Sequence, residues 1–268
     1  MSSLYDGARI ERTGERTFAA QTDPAYWNLI GPFGGWIAAV LVHCVLSETA
    51  AVGAPLSLSL DFAGAMEPGP FAIGLRALRR NRSTSFWSAE LTQIQKGAQV
   101  LCAFATIVTA ERRPTPQFLE VAPPAVQRPE ELRRFEMPGA LPFLQRLDFR
   151  FAEGTIFPKL IDGATVTWMR ALDAPAMDYE TLAALCDAGI PQIFLRLKRR
   201  IPVSSVTLNA FFHADRAELD AAGNGFVLNA CRMRRAAHGY FDASAQVWSE
   251  RGDLLATTEQ IVWFREEP

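Results

Sequence analysis

This 268-residue chain offers little to a metal, a disulfide framework or a polyanionic partner. Its four cysteines, Cys44, Cys102, Cys186 and Cys231, are widely spaced in apolar runs with no CxxC pair, so they read as buried thiols and not as bridges or ligands. The three histidines, His43, His213 and His238, fall at no metal-ligand spacing, and neither a metal nor a cofactor is expected. Charge of one sign is missing too: a net charge of −2 gives no broad field for nucleic acid or a membrane surface, so any anion must be recognised locally. No run approaches the ~20 apolar residues of a bilayer span. Met1 to Gly7 lacks the basic-then-apolar pattern of a signal peptide, which makes a soluble, cytoplasmic protein the expectation. A G-x-S-x-G elbow, a Walker A loop and a dinucleotide fingerprint at a strand-helix junction are likewise absent, which removes the enzyme classes built on them.

What is present is an apolar content of 49%, enough for a substantial core, arranged in two similar halves. Between Glu111 and Pro142 lie Pro114, Pro116, Pro123, Pro124, Pro129, Pro138 and Pro142, with charges between them and no apolar period. Proline removes donors from ladders and helices alike, so this stretch reads as a surface linker. The expected division is residues 1–112, a linker at 113–142, and residues 143–268.

In the first half, Gly34 to Thr49 is apolar nearly all round, as a helix buried on most sides is. Four strand-like runs follow, Leu56 to Phe62, Phe71 to Arg80, Ser85 to Gln95 and Val100 to Thr109, separated by turn residues. The second half repeats the order: leading strands at Phe149 to Phe151 and Val166 to Arg170, a helix from Tyr179 to Ala188, then strands over Ser205 to His213, Phe226 to Ala236, Tyr240 to Trp248 and Leu254 to Arg265. Gly223-Asn224-Gly225 and Glu250-Arg251-Gly252-Asp253 fit hairpin turns. Each half is thus an α+β layer, an antiparallel sheet curling around one helix. Eight residues beyond the last hairpin glycine stands Ala105 in the first half, after Gly97, and Gln260 in the second, after Gly252. A repeated scaffold with one polar copy points to a single composite site.

This order, with Gly34-Gly35-Trp36, the Arg82-Ser83-Thr84-Ser85 turn, Gln95-Lys96-Gly97 and the closing Leu255-Ala256-Thr257-Thr258-Glu259-Gln260, resembles acyl-CoA thioesterase II and its thioesterase-like relatives over almost the whole chain. The resemblance implies a double hotdog, two tandem copies of a helix wrapped by a curved sheet. It implies an acyl-CoA substrate, and chains of this kind often pair, so a homo-oligomer is compatible with it. It also implies a site in which a helix aspartate, a strand hydroxyl and a glutamine hold and activate water. Asp187, Ser205 and Gln260 match those places. The family usually has threonine at the hydroxyl, and Thr207, two residues on and expected on the same side of its strand, competes with Ser205.

The chemistry suits these residue types. A carboxylate takes the proton of water, while a neutral amide and a hydroxyl fix the water's direction. Asp187 is the candidate base, Ser205 and Gln260 orient the water, and the Gly34-Gly35 backbone at a helix start is a candidate oxyanion site that lets substrate approach closely. Gly34, Gly35, Trp36 and Thr207 are the candidate substrate contacts. Three arginine-rich clusters, Arg79-Arg80-Asn81-Arg82, Lys198-Arg199-Arg200 and Arg232-Met233-Arg234-Arg235, are candidate phosphate contacts. Two other readings share the scaffold: a non-catalytic acyl-CoA or lipid-binding protein, and an acyl-thioester hydratase, whose aspartate-histidine pair is incomplete at Asp23-Pro24-Ala25-Tyr26.

Overall fold

The computed structural model describes residues 4–136, 139, 141–152 and 164–266. Its first part runs β1 (Glu11–Gly14), β2 (Thr17–Gln21), α1 (Gly34–Leu46), β3 (Ala54–Phe62), β4 (Pro70–Arg80), β5 (Thr84–Gln95) and β6 (Ala98–Ala110). No helix or strand follows until a short 3-10 turn at Pro129–Glu131. The second part runs α2 (Pro142–Gln145), β7 (Leu147–Phe151), β8 (Ala164–Ala171), α3 (Tyr179–Cys186), α4 (Gln192–Leu197), β9 (Val203–Phe212), α5 (Arg216–Ala222), β10 (Val227–Arg232), β11 (Ala236–Ala237), β12 (Tyr240–Ser249) and β13 (Leu254–Phe264).

Local chemistry explains most of these elements. In β4 the alternation of Phe71, Ile73 and Leu75 with exposed neighbours puts one face on the core. Lys96 and Gly97 both have positive φ, 50° and 80°, the geometry of a tight hairpin turn between β5 and β6. Every residue of α1 from Gly35 to Val42 is buried, and the helix closes after Leu46, a turn earlier than its apolar run suggests.

The strands form one antiparallel sheet in the order β1-β2-β4-β5-β6-β3-β9-β13-β12-β10-β8-β7, with β11 paired to β12 at the side. The order reads as a mirrored series about the β3–β9 contact: β6 answers β13, β5 answers β12 and β4 answers β10. At the centre Leu60 faces Leu208; Ala105 faces Leu60 from the next strand on one side, and Gln260 faces Leu208 on the other. Ala105 and Gln260 are therefore structural counterparts, as their equal distances from the hairpin glycines indicate.

Three local expectations change. Gly223-Asn224-Gly225 closes no hairpin: it follows α5, whose Asp215 and Glu218 form a reciprocal capping box that starts a helix. β10 accordingly pairs with β12 and β8, not with β9. The run from Phe226 breaks after Arg232, where the backbones of Arg234 and Arg235 donate to the Asp242 carboxylate. The β1–β2 hairpin and α4 carry no strong sequence signal and were not anticipated. Where the chain leaves β6, Arg112 donates to the carbonyls of Pro55, Phe212 and Ala214, tying the exit to both central strands. The main core is built around α1 and α3. Among the described residues no helix is long and apolar enough to cross a membrane.

Candidate active site

The site begins with the packing of α1 on α3. Glycines at the start of α1 let the two helices approach closely: a Cβ at Gly35 would collide with the Ala184 carbonyl, and one at Gly34 would stand 2.6 Å from Asp187 Oδ2. Asp187 is the C-cap of α3. An acid is disfavoured at the negative end of its own helix, but here it meets the N-terminus of α1, whose backbone donors and dipole favour an anion.

Asp187 opens partly onto a cavity yet is enclosed by protein, and loss of solvation pushes its carboxyl up to about 7 from the ordinary 3.8; the Gly35 N–H, the Gln260 amide and the Ser205 hydroxyl pull it back down. The Ser205 hydroxyl lies 3.4 Å from Gln260 Oε1, and Gln260 Nε2 lies 3.4 Å from the Cys186 carbonyl. Residues from α3, β9 and β13 thus converge on the start of α1. The Gly35 N–H is directed to Asp187.

A β-bulge decides which hydroxyl joins them. Between β9 and β13, Ile261 pairs with Thr207 but Val262 pairs with Ser205, so Val206 is the extra residue. The bulge cancels the alternation that would keep Ser205 and Thr207 on one side. Ser205 shares the inner face with Gln260 and Leu208. Thr207 faces outward beside the exposed Ile261, and its Oγ1 accepts from the Ile261 N–H at 3.2 Å, so the expectation of a shared side is corrected.

Gly34, Asp187, Ser205 and Gln260 all border a cavity of about 1060 Å³. Its walls include Phe33, Phe62, Phe143, Phe149 and Phe241. Trp36 does not border it: its ring is wholly buried beside Tyr26 and Phe71 in the core, because it points from the opposite side of α1. Of the three basic clusters only the second reaches the cavity, through Arg200. Arg79 is engaged with Asn81 at a turn, and Arg234 pairs with Asp242 and Glu259. The sequence reading missed Asn229, Cys231 and Thr258 in the cavity wall, although inward positions on strands beside Gln260 were the signal that could have found them. Asp23 accepts from the Ala25 N–H as the cap of a short turn, away from this cavity.

Residues 23–110 match the family model of the acyl-CoA thioesterase N-terminal domain, and residues 122–264 that of the acyl-CoA thioesterase C-terminal domain. Among solved structures, a conserved protein of unknown function with a hot dog fold from Alicyclobacillus acidocaldarius is 34% identical, with a TM-score of 0.91 over 99% of this chain and 98% of that one. The tesB protein of Mycobacterium avium subs paratuberculosis (19% identity, TM-score 0.76, 98% of each chain) shares the fold. So does the acyl-CoA thioesterase II TesB2 of Mycobacterium marinum (15%, 0.75, 99% of each). No curated protein matches the sequence. With one of its domain models matched in each half, the chain belongs to the acyl-CoA thioesterase family and has the hotdog fold.

Proposed function

We propose that this protein hydrolyses a fatty or related acyl-CoA to the free acid and coenzyme A, using water activated by Asp187. The observation that carries the reading is a carboxylate held near neutrality, with its pKa at about 7, beside a hydroxyl and an amide at the head of a large apolar cavity. Such a carboxylate is ionised in a useful fraction at neutral pH and still basic enough to take a proton from water. Ser205 and Gln260 orient that water toward the thioester carbonyl. Water adds to the carbonyl carbon as Asp187 accepts its proton; the tetrahedral intermediate then collapses with loss of the coenzyme A thiolate, which is protonated on release. The cavity receives the acyl chain, and Arg200 at its border suits a phosphate of the coenzyme. Residues 1–112 and 143–268 form two tandem hotdog units in this reading, joined by 113–142, and the protein works in the cytoplasm without a cofactor.

The test is release of free thiol from short-, medium- and long-chain acyl-CoAs by the wild type, Asp187→Ala and Gln260→Ala. Turnover that both substitutions reduce by about a hundredfold, in variants that stay folded, supports the reading. Acyl-CoA binding with no turnover on any chain length replaces it with a non-catalytic binding protein.

A further inference from the structure

The cavity has a second polar spot, remote from the strand that carries Gln260. Asn229 stands on the inner face of β10, 1% exposed, in the cavity wall. Its amide nitrogen has no hydrogen-bond partner among the described residues. A buried amide left unpaired is costly, and exchanging its oxygen and nitrogen by a flip leaves the same need. The neighbouring buried amide, Gln192, is fully used: it donates to Thr165 Oγ1 at 2.8 Å and to the Cys231 carbonyl, and accepts from the Met233 N–H at 2.7 Å.

The wall between the reaction centre and Asn229 is built from small side chains. Ala243 faces Gln260 across β12–β13, Ala245 faces Thr258, and Cys231 faces Ala245 from β10. Gly189, two residues beyond Asp187, leaves the space over Asn229 open: a Cβ there would lie 3.7 Å from Asn229 Oδ1 and 3.8 Å from Cys231 Sγ. Two strand spacings and a four-residue offset along β12 put Gln260 and Asn229 roughly 16 Å apart between Cα atoms. Measured from Asp187 the separation is shorter, because Gly189, two residues on, lies against Asn229 and holds its Oδ1 within roughly 13 Å of the Asp187 Cα, so a group that meets Asn229 belongs to the middle of an acyl chain whose thioester lies at Asp187.

We infer that Asn229 is a specificity-determining residue that hydrogen-bonds an oxygen substituent, a hydroxyl or keto group, carried part-way along the acyl chain from the thioester. The inference rests on the proposed thioesterase site for the orientation of the chain. A site that offers a buried polar partner rejects the analogue lacking the matching group, because binding that analogue leaves the site's own group unpaired.

The experiment compares kcat/KM for decanoyl-CoA and a positional series of monohydroxydecanoyl-CoAs in the wild type and in Asn229→Leu, with Asn229→Ala as the second variant should leucine not fold. At least one mid-chain isomer is expected to exceed decanoyl-CoA by about tenfold in the wild type, and the variant to lose that ratio. A wild type that favours no isomer, or a preference that survives both substitutions, overturns the role of Asn229. The same chains as S-alkyl coenzyme A thioethers, measured by calorimetry, separate the two readings. Asn229-dependent tighter binding of a hydroxylated thioether without turnover of any thioester keeps Asn229 and removes the hydrolase. Turnover of decanoyl-CoA without any isomer preference does the reverse.

Discussion

The two ends of the α1–α3 pair share a scaffold and differ in chemistry. At one end Asp187 lies against Gly34 and Gly35 beneath Ser205 and Gln260. At the other, His43 Nδ1 stands 3.3 Å from Glu180 Oε1, and the Tyr5 ring is stacked on the imidazole at a centroid distance of 4.2 Å. The strand positions there are Ala105, the counterpart of Gln260, and Ser57, which precedes Leu60 by the same three residues that separate Ser205 from Leu208. Ser57 nevertheless faces away from the core. The bulge between β3 and β6 falls at Leu56, on the far side of Ser57, so Ser57 alternates normally with buried Leu58. A polar site on this scaffold thus needs a carboxylate, an amide and a bulge two residues nearer the sheet centre, and the first half has none of the three in place.

The largest expected break in this contrast is Asp187→Asn, which should lower kcat for acyl-CoA hydrolysis by a hundredfold or more, roughly 3 kcal/mol, while His43→Ala changes kcat less than about twofold. Gly35→Ala should cost about 1–3 kcal/mol of stability, read from urea midpoints, because its Cβ would meet the Ala184 carbonyl and force α1 from α3. Copying the second half into the first by Ala105→Gln should destabilise by about 1–3 kcal/mol and add no activity, since Ala105 is 2% exposed and the new amide would have no prepared partner.

The pH dependence sharpens the contrast from the site's own side. With a folded pKa of about 7 against the ordinary 3.8, Asp187 binds more protons in the folded state between those values. Its contribution to stability is at its most favourable below about 4 and declines as pH rises to about 7, and Asp187→Asn should flatten that part of the stability curve. Activity has the opposite sign: kcat/KM should rise with pH up to about 7 and level above it as the base ionises. The smallest effect is expected at the other end, where His43→Ala should cost less than about 1 kcal/mol in thermal unfolding, because its contact with Glu180 is partly open to solvent.

Much of this architecture was legible in the order of residues. Strand alternation, the Lys96-Gly97 turn and the all-round apolar face of α1 are local properties, and each formed close to where the sequence indicated. Counting eight residues from Gly97 and from Gly252 found structural counterparts because each hairpin carries one bulge within that length, at Cys102 and at Leu255, so the two counts are offset equally. The misses have a common cause. Thr207 left the inner face through a bulge, and Trp36 turned from the cavity to the core.

The sequence alone determined the repeated α+β pattern, the position of Gln260 in its strand and the placement of Asp187 at the end of a helix, since turn geometry and side-chain periodicity act over a few residues. Only the tertiary structure decided that Asp187 meets Gly34 and Gly35, that Ser205 and not Thr207 faces it, and that Asn229 stands unpaired in the same cavity. Those outcomes depend on how closely two helices approach and where one residue is inserted in a ladder between distant strands, and such long-range packing leaves no local periodicity to read.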